Sequence, residues 1–385
     1  MIDRRRFLGH AGLAGAALLT PGLALAAASG ERRFVLIILR GAMDGLSTVM
    51  PVGDPAYAAL RRGFGPPAMA GAPITLDGTF ALHPSLAETG KLFAKGEAAF
   101  IHAVASPYRE RSHFDAQNVL ETGGNAAYAL KDGWLNRLLP MLPAAREPAI
   151  AISTTLPMAL RGVAPATSFA PSKLPEADAD LMSRAGALYE SDPQLHTLWT
   201  QAMEARSLAG DKAEGRGNPT ALGALAATFL AQPQGARIAV IEMTGWDTHA
   251  NQPGRLAGLL RQLDGLINSL RTGLGPAWAQ TAVVAATEFG RTAAPNGTGG
   301  TDHGTGSAAI LAGGAIKGGR VISDWPGLAP AQLHEGRDLR ATADLRALFA
   351  GLAAEHFGLD PAQVVRAGFA GAAIKPMTGL VRGQS

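Results

Sequence analysis

The chain contains no cysteine at all. That excludes disulfides, thiolate metal sites and a lipid-anchored cysteine, so any metal must rest on Asp, Glu, His or carbonyl oxygen. Charge is also scarce, at 17% of residues against 47% hydrophobic, which describes a globular protein with an ample core rather than a disordered chain. The formal net charge of +3 shrinks further, because Asp3 and Arg4–Arg6 alone carry +2 and leave +1 for the rest. No Lys/Arg run lies beyond the N-terminus, so nothing marks a nucleic-acid partner. An apolar stretch of the roughly 20 residues that a membrane span needs is likewise missing. Internal repeats are absent too, beyond a general alanine bias.

The N-terminus is an address. Asp3-Arg4-Arg5-Arg6-Phe7-Leu8 precedes GHAGLAGAALLTPGLALAAA: a charged start, a mildly apolar middle broken by Pro21, and small residues suited to cleavage near Ala26 or Ala28. Paired arginines before Phe-Leu resemble a twin-arginine export signal. The expectation is a signal peptide over residues 1–28, engagement with the twin-arginine translocation machinery, and a periplasmic or secreted mature protein. That machinery exports folded proteins, which suits one that takes up its metal before leaving the cytoplasm.

In the mature chain, Arg33–Arg40 reads as a buried parallel strand running into Gly41-Ala42-Met43-Asp44-Gly45. Asp44 is there either a ligand or a turn residue. Ala98–Val104 is a second strand. Beyond it, Ser112 and His113 stand at a helix N-terminus, where backbone N–H groups favour an anion, or where Ser112 simply caps the helix. Residues 132–235 carry little chemistry and read as mostly helical, with an insertion around 175–232. Arg237–Met243 is a strand ending in Gly245-Trp246-Asp247-Thr248-His249. Asp247 and His249 are two apart, so in extended backbone they share a face and can share a cation. Leucines at helical spacing from Gly254 to Leu270 then return the chain to Thr281–Ala286, a βαβ unit. That strand ends at Glu288, ahead of Arg291 and a glycine-rich loop holding Asp302 and His303. In open α/β sheets, chemistry gathers at these carboxyl ends. His196, His334 and His356 have no such company and read as structural.

The segments LRGAMDGL, FALHPSL, SHFDAQNVLETG, GWDTHANQ, TEFGRT and GGTDHGTGSAAILAGGAIKGG resemble the family of exported bacterial proteins with domain of unknown function 1501, over about residues 33–360. That family resembles remote members of the alkaline phosphatase/sulfatase superfamily. The resemblance implies an α/β fold with a mostly parallel central sheet and helices on both faces, as a single alkaline phosphatase-like domain over 29–385. It also implies a divalent metal, Zn or Mn before Mg or Ca, held by Asp44, Asp247, His249, Glu288 and His303. Asp302 either ligates or orients His303, Arg291 neutralises the anionic group, and Ser112 or His113 is nucleophile or activator.

Three departures accompany it. The nucleophile register falls on His113, with Ser112 one residue early. Phe289 stands where a His ligand is usual, and the Asp247–His249 spacing is tight. One metal rather than two follows, or a fold without catalysis. The implied function is an exported metal-dependent hydrolase of small phosphate or sulfate esters; the alternative is a non-catalytic secreted binding or assembly protein.

Overall fold

Nine strands make one sheet: β1 (Arg33–Leu39), β2 (Ala98–Ala105), β3 (Ala149–Ile152), β4 (Thr167–Ser168), β5 (Ile238–Met243), β6 (Thr281–Ala286), β7 (Ser307–Ala312), β8 (Arg320–Ile322) and β9 (Ala343–Asp344). The computed structural model describes residues 32–64, 71–142, 148–171, 179–210 and 218–383. The expected signal peptide, 1–28, lies outside the described residues. The strand order is β8-β2-β7-β6-β1-β5-β3-β4, with β9 also paired to β2. β1 is central and pairs in parallel with β5 on one side and β6 on the other. β3 continues the parallel run beside β5. Only β7 runs against its neighbours, antiparallel to both β6 and β2. A loop rather than a crossover helix joins β6 to β7, and parallel neighbours need the longer connection.

The strictly alternating side chains of β1 explain why both faces are covered. Val35, Ile37 and Leu39 enter one core with Leu225 and Phe229 of the helix Pro219–Leu230 and Leu260 and Leu263 of the helix Gln252–Leu274. Phe34, Leu36 and Ile38 enter the other, against Leu348, Phe349 and Leu352 of the helix Leu345–Phe357. There Trp134 stacks on Phe349 at 5.0 Å and meets Phe34 edge-on at 6.2 Å. The fold is thus α/β, with a mostly parallel central sheet between helical layers.

Within 175–232 the described residues form three helices, Ala179–Tyr189, Pro193–Ala209 and Pro219–Leu230. The third belongs to the sheet-covering layer. The first two leave Leu181, Leu188, Leu195 and Leu198 exposed. Among the described residues, no helix is long and apolar enough to cross a membrane.

Three buried histidines serve packing. His102 hydrogen-bonds the Val49 carbonyl through Nε2 (2.8 Å), and His356 does the same to Arg33 O (2.8 Å). His83 Nδ1 accepts the Ser85 N–H (3.1 Å). Burial pushes His83 and His102 down to about 4 and His356 to about 3. The unfolded chain therefore takes up protons first as pH drops below the ordinary histidine value of about 6.5. The stability these rings contribute is complete above that pH and drains away toward pH 4. Thermal melts at pH 7.5, 6 and 5 should give a falling Tm; a flat profile across that window would contradict neutral burial.

Candidate metal centre

The sheet delivers the site's residues to one end, and two glycines let the connections close around it. Gly41, at φ +118°, lies two residues after the end of β1; a Cβ there would lie 2.5 Å from the Asp247 backbone nitrogen. The first turn after β1 thus lies flat on the turn after β5, and the Gly41 N–H donates to Glu288 Oε1 at 2.8 Å. Gly300 does the same for the long loop after β6: its Cβ would sit 2.2 Å from the carbonyl carbon of His249. That loop folds across the Asp247–His249 segment through a bridge of Ala250 with Gly299, and an internal bridge of Arg291 with His303 closes it on itself.

Three imidazoles and one carboxylate meet there. Ligand atoms of His113, Asp247 and His303 lie within 4.8 Å of one another. His303 Nε2 stands 3.0 Å from His113 Nε2, 3.0 Å from His249 Nε2 and 3.3 Å from Asp247 Oδ1. His249 Nε2 is also 3.0 Å from Asp247 Oδ1, and His113 Nε2 is 3.6 Å from Asp247 Oδ2.

Every ring has its other nitrogen engaged. His113 Nδ1 meets Glu288 Oε1 at 2.7 Å, His249 Nδ1 meets Asp302 Oδ1 at 3.2 Å, and His303 Nδ1 meets the Arg111 carbonyl at 2.9 Å. Each of these partners is an acceptor, so Nδ1 carries the proton and Nε2 turns a lone pair inward. Lone pairs facing each other at 3.0 Å repel. A proton on one ring relieves one contact, whereas His303 Nε2 faces two other imidazoles at once. A divalent cation would satisfy the ligand atoms of His113, Asp247 and His303, which all lie within 4.8 Å of one another, and a tetrahedral ion with ~2.0–2.1 Å bonds to nitrogen spaces its donors roughly 3.3 Å apart. The residues present therefore fit such an ion.

The charges around the rings are arranged to match. Burial pushes the Asp247 carboxyl up, and the Arg291 guanidinium 2.6 Å away more than reverses this, with His249 and His113 adding, to hold it below the usual carboxylate range. Glu288 is fully buried; against that cost, His113, Gln117 and the Gly41 N–H keep it ionised and below its ordinary value. The Glu288 bond raises His113 above the ordinary histidine value, while burial and then His113 lower His303.

Several roles expected for these residues change. Asp44 is not with the cluster: both oxygens are gripped by the fork of Arg61, at 2.7 and 3.0 Å, and Ser47 and Gln252 also donate to them. No lone pair is left for a metal. Glu288 stands behind His113, on Nδ1, rather than among the inward-facing donors. Asp302 orients His249, not His303. Arg291 is buried, with its donors on Asp247 and Thr301, so it cannot reach an anionic group on a substrate. Ser112 sits at the helix start without a side-chain capping bond and faces Tyr108. His113, expected as nucleophile or activator, presents Nε2 as a donor to the cluster. Phe289 stacks on His113, with ring centroids 4.9 Å apart.

Gln117, Gln252 and the Arg111 carbonyl escaped the sequence reading. Gln117 had one usable signal, its position four residues after His113 on the same helix face. The carbonyl had none: Arg111 holds it toward His303 from a left-handed φ of +60°, a conformation costing about 1–3 kcal/mol in a non-glycine residue.

The family described as "Protein of unknown function (DUF1501)" matches residues 31–369. No curated protein matches the chain. Among solved structures the chain is similar to the C-terminal periplasmic domain of EcEptC from Escherichia coli, in a complex with Zn, at 10% identity over 73% of this chain and 72% of that one, TM-score 0.36. It is similar to a 2-O GAG sulfatase, BT1596, at 9% identity over 86% and 71%, TM-score 0.41. It is similar, too, to alkaline phosphatase from the Antarctic bacterium TAB5, at 13% identity over 76% and 94%, TM-score 0.38. These are likenesses of overall fold, and no residue's role passes from them to this chain.

Two substitutions separate the inner shell from its surroundings. Asp44→Asn should cost roughly 3–5 kcal/mol of stability, as breaking a buried ion pair does, with metal stoichiometry unchanged in elemental analysis; parallel loss of metal would return Asp44 to the ligand set. Glu288→Gln should weaken metal affinity by about 10–100-fold, the usual cost of losing a carboxylate behind a ligating histidine. Unaltered affinity in a metal titration would deny it that role.

Proposed function

The chain belongs to the family described as "Protein of unknown function (DUF1501)", and from its site we propose a metal-dependent hydrolase of phosphate or sulfate esters, exported by the twin-arginine pathway to the periplasm or beyond. The observation that carries the metal is the inward convergence of three Nε2 lone pairs on Asp247. His113, His249, His303 and Asp247 would hold one divalent cation. Nitrogen donors favour Zn or Mn over Mg or Ca. Such an ion supplies Lewis acidity, polarising a phosphoryl or sulfuryl oxygen and acidifying water.

The remaining work falls to the chain. Glu288, Asp302 and the Arg111 carbonyl hold the three tautomers, so no ring must turn or shed a proton before binding. Arg291 keeps Asp247 ionised and in place. Access is from one side, where the side chains of His249 and Asp247 are 44% and 42% exposed while that of His113 is only 20% exposed. An anionic ester would enter beside them. With Ser112 turned to Tyr108 and Arg291 sealed in, water is the attacking group, and no side-chain ester forms on the protein.

A second reading rests on a specific feature. His249 Nε2 lies 3.0 Å from both His303 Nε2 and Asp247 Oδ1; were it to join the other three, four protein donors would close the shell, and closed shells characterise structural zinc, whereas catalytic sites keep a position open. The protein would then be a secreted binding or assembly module whose ion secures the loops after β1, β5 and β6.

Elemental analysis should find about one equivalent of divalent metal. p-Nitrophenyl phosphate, a phosphodiester and p-nitrophenyl sulfate should be tried on the loaded protein. In the hydrolase reading at least one turns over, Asp247→Ala and His249→Ala abolish turnover, and Ser112→Ala leaves it intact. Turnover surviving the first two substitutions would remove the site assignment. A sharp fall in Tm on chelation, with no ester hydrolysed, would favour the structural ion.

A further inference from the structure

The metal cluster stands at the carboxyl ends of the strands, and a cavity of about 670 Å³ opens at their amino ends. Arg32 and Arg33 at the start of β1, Gln280 just before β6, His356 and Arg382 all line it. It shares no lining residue with the metal cluster, and the length of β1 separates the two by roughly 20 Å at about 3.3 Å per residue. Adjacent residues of an extended chain point to opposite faces. Arg33 Nε accordingly donates to the Leu230 carbonyl on one side of the sheet, and Arg32 Nη1 to the Glu355 and His356 carbonyls on the other.

Each guanidinium thus rests on the carbonyl end of a helix. Leu230 closes the helix Pro219–Leu230, Glu355 and His356 lie in the last turn of Leu345–Phe357, and Arg382 Nη2 donates to the Gly96 carbonyl just beyond the helix Ala87–Ala94. Capping of helix ends would account for these side chains completely if the charges balanced, but a helix end carries only about half a negative charge. No Asp or Glu lines the cavity. Glu355 turns its carboxylate away, onto the backbone N–H groups of Gly379, Leu380 and Val381. Arg32 and Arg382 form no ion pair among the described residues; their partners are carbonyls. His356 adds no charge, since burial keeps it neutral and its Nε2–H donates to the Arg33 carbonyl.

The wall is therefore left positive, and part of that charge is well buried. Arg32 is 7% exposed and Arg33 3%, and burial lowers the Arg32 guanidinium from its usual value with no carboxylate acting against it. In Arg32, Nη1 is taken by the two carbonyls and Nε is enclosed. Nη2, which makes no hydrogen bond among the described residues, is the nitrogen open to the cavity. Charge held out of water without a counter-charge is strongly destabilising, and planar guanidinium forks match tetrahedral oxyanions. The volume is that of a small-molecule pocket rather than of a bare ion.

We propose that this cavity binds a phosphate or sulfate group, free or carried on a small organic molecule, between Arg32, Arg33 and Arg382. The site is independent of the metal cluster and holds whether or not the protein hydrolyses esters. The guanidinium charges supply the selectivity, and the arginines' grip on three helix ends keeps them in place before the anion arrives.

The full mature chain should be titrated calorimetrically at low ionic strength with inorganic phosphate and with phenylphosphonate, whose C–P bond no esterase cleaves. Saturable binding at one site per chain beyond any at the metal is expected, displaced by sulfate and weakened by salt. Tighter binding of phenylphosphonate identifies an organic phosphate as the occupant; tighter binding of phosphate identifies the free ion. Ala279→Glu sets a carboxylate at an exposed position of the lining, and Arg382→Gln removes an exposed charge; each should weaken binding about tenfold, the worth of one charged hydrogen bond, with Tm and metal content little changed. Arg382→Lys should retain most of the affinity. Asp247→Ala, at the far end of the sheet, should leave this binding as it is. Absence of saturable binding overturns the site, as does affinity unaltered in both Ala279→Glu and Arg382→Gln. Affinity lost in Asp247→Ala but kept in Ala279→Glu also overturns it, because the anion then sits on the metal. Binding rather than turnover is read throughout, so failure here and failure of the hydrolase reading stay distinguishable.

Discussion

Three imidazoles are each tied at Nδ1 to an acceptor, and this single constraint organises the functional end of the molecule. Glu288 and Asp302 come from the loop after β6 and the Arg111 carbonyl from the loop before the helix His113–Thr122, and together they force every Nε2 lone pair inward. Without those partners the rings could rotate apart, and the crowding of His303 against His113 and His249 would vanish. Preorganisation of this kind is what groups bonded behind the ligating side chains contribute to metal sites. It places a convergent donor set on the protein before any ion arrives.

The sheet makes the constraint possible. β1 is flanked by β5 and β6 in parallel, so Gly41, Asp247 and Glu288 follow from adjacent strand ends and meet without long excursions. The close backbone approach at Gly41 locks the first loop to the second, and Glu288 reaches back to the Gly41 N–H. Burying Glu288 completely is tolerable because its oxygens accept from Gly41, Thr287, His113 and Gln117. A buried charge so well provided with donors behaves as framework. The Asp44–Arg61 pair is the same solution one layer away, and Gln252 ties it to Thr301 in the loop after β6.

Much of this architecture was legible from residue order. Continuous apolar runs marked the central strands, leucines at helical spacing marked the Gln252–Leu274 helix, and polar residues at the strand ends marked the functional edge. Asp247, His249 and His303 could be named because they follow such runs directly. Asp44 stood out on the same grounds and proved different, since strand-end position cannot say whether an arginine 17 residues away will claim a carboxylate. Arg291 illustrates the converse: an arginine near candidate ligands suggests anion binding, but its burial turns it onto Asp247 instead.

Periodicity marked a βαβ unit and the end of the sheet that would carry the chemistry, the absence of cysteine restricted any metal to oxygen and nitrogen donors, and the resemblance to a family implied the whole α/β fold. The first two follow from local pattern and from elements that cysteine-free chains cannot supply. Only the tertiary structure decided which nitrogen of each histidine faces inward, which acids stand behind the rings, and that Asp44 belongs to an ion pair. Those outcomes depend on distances of about 3 Å between residues as far as 192 positions apart, and no local sequence signal encodes contacts of that range.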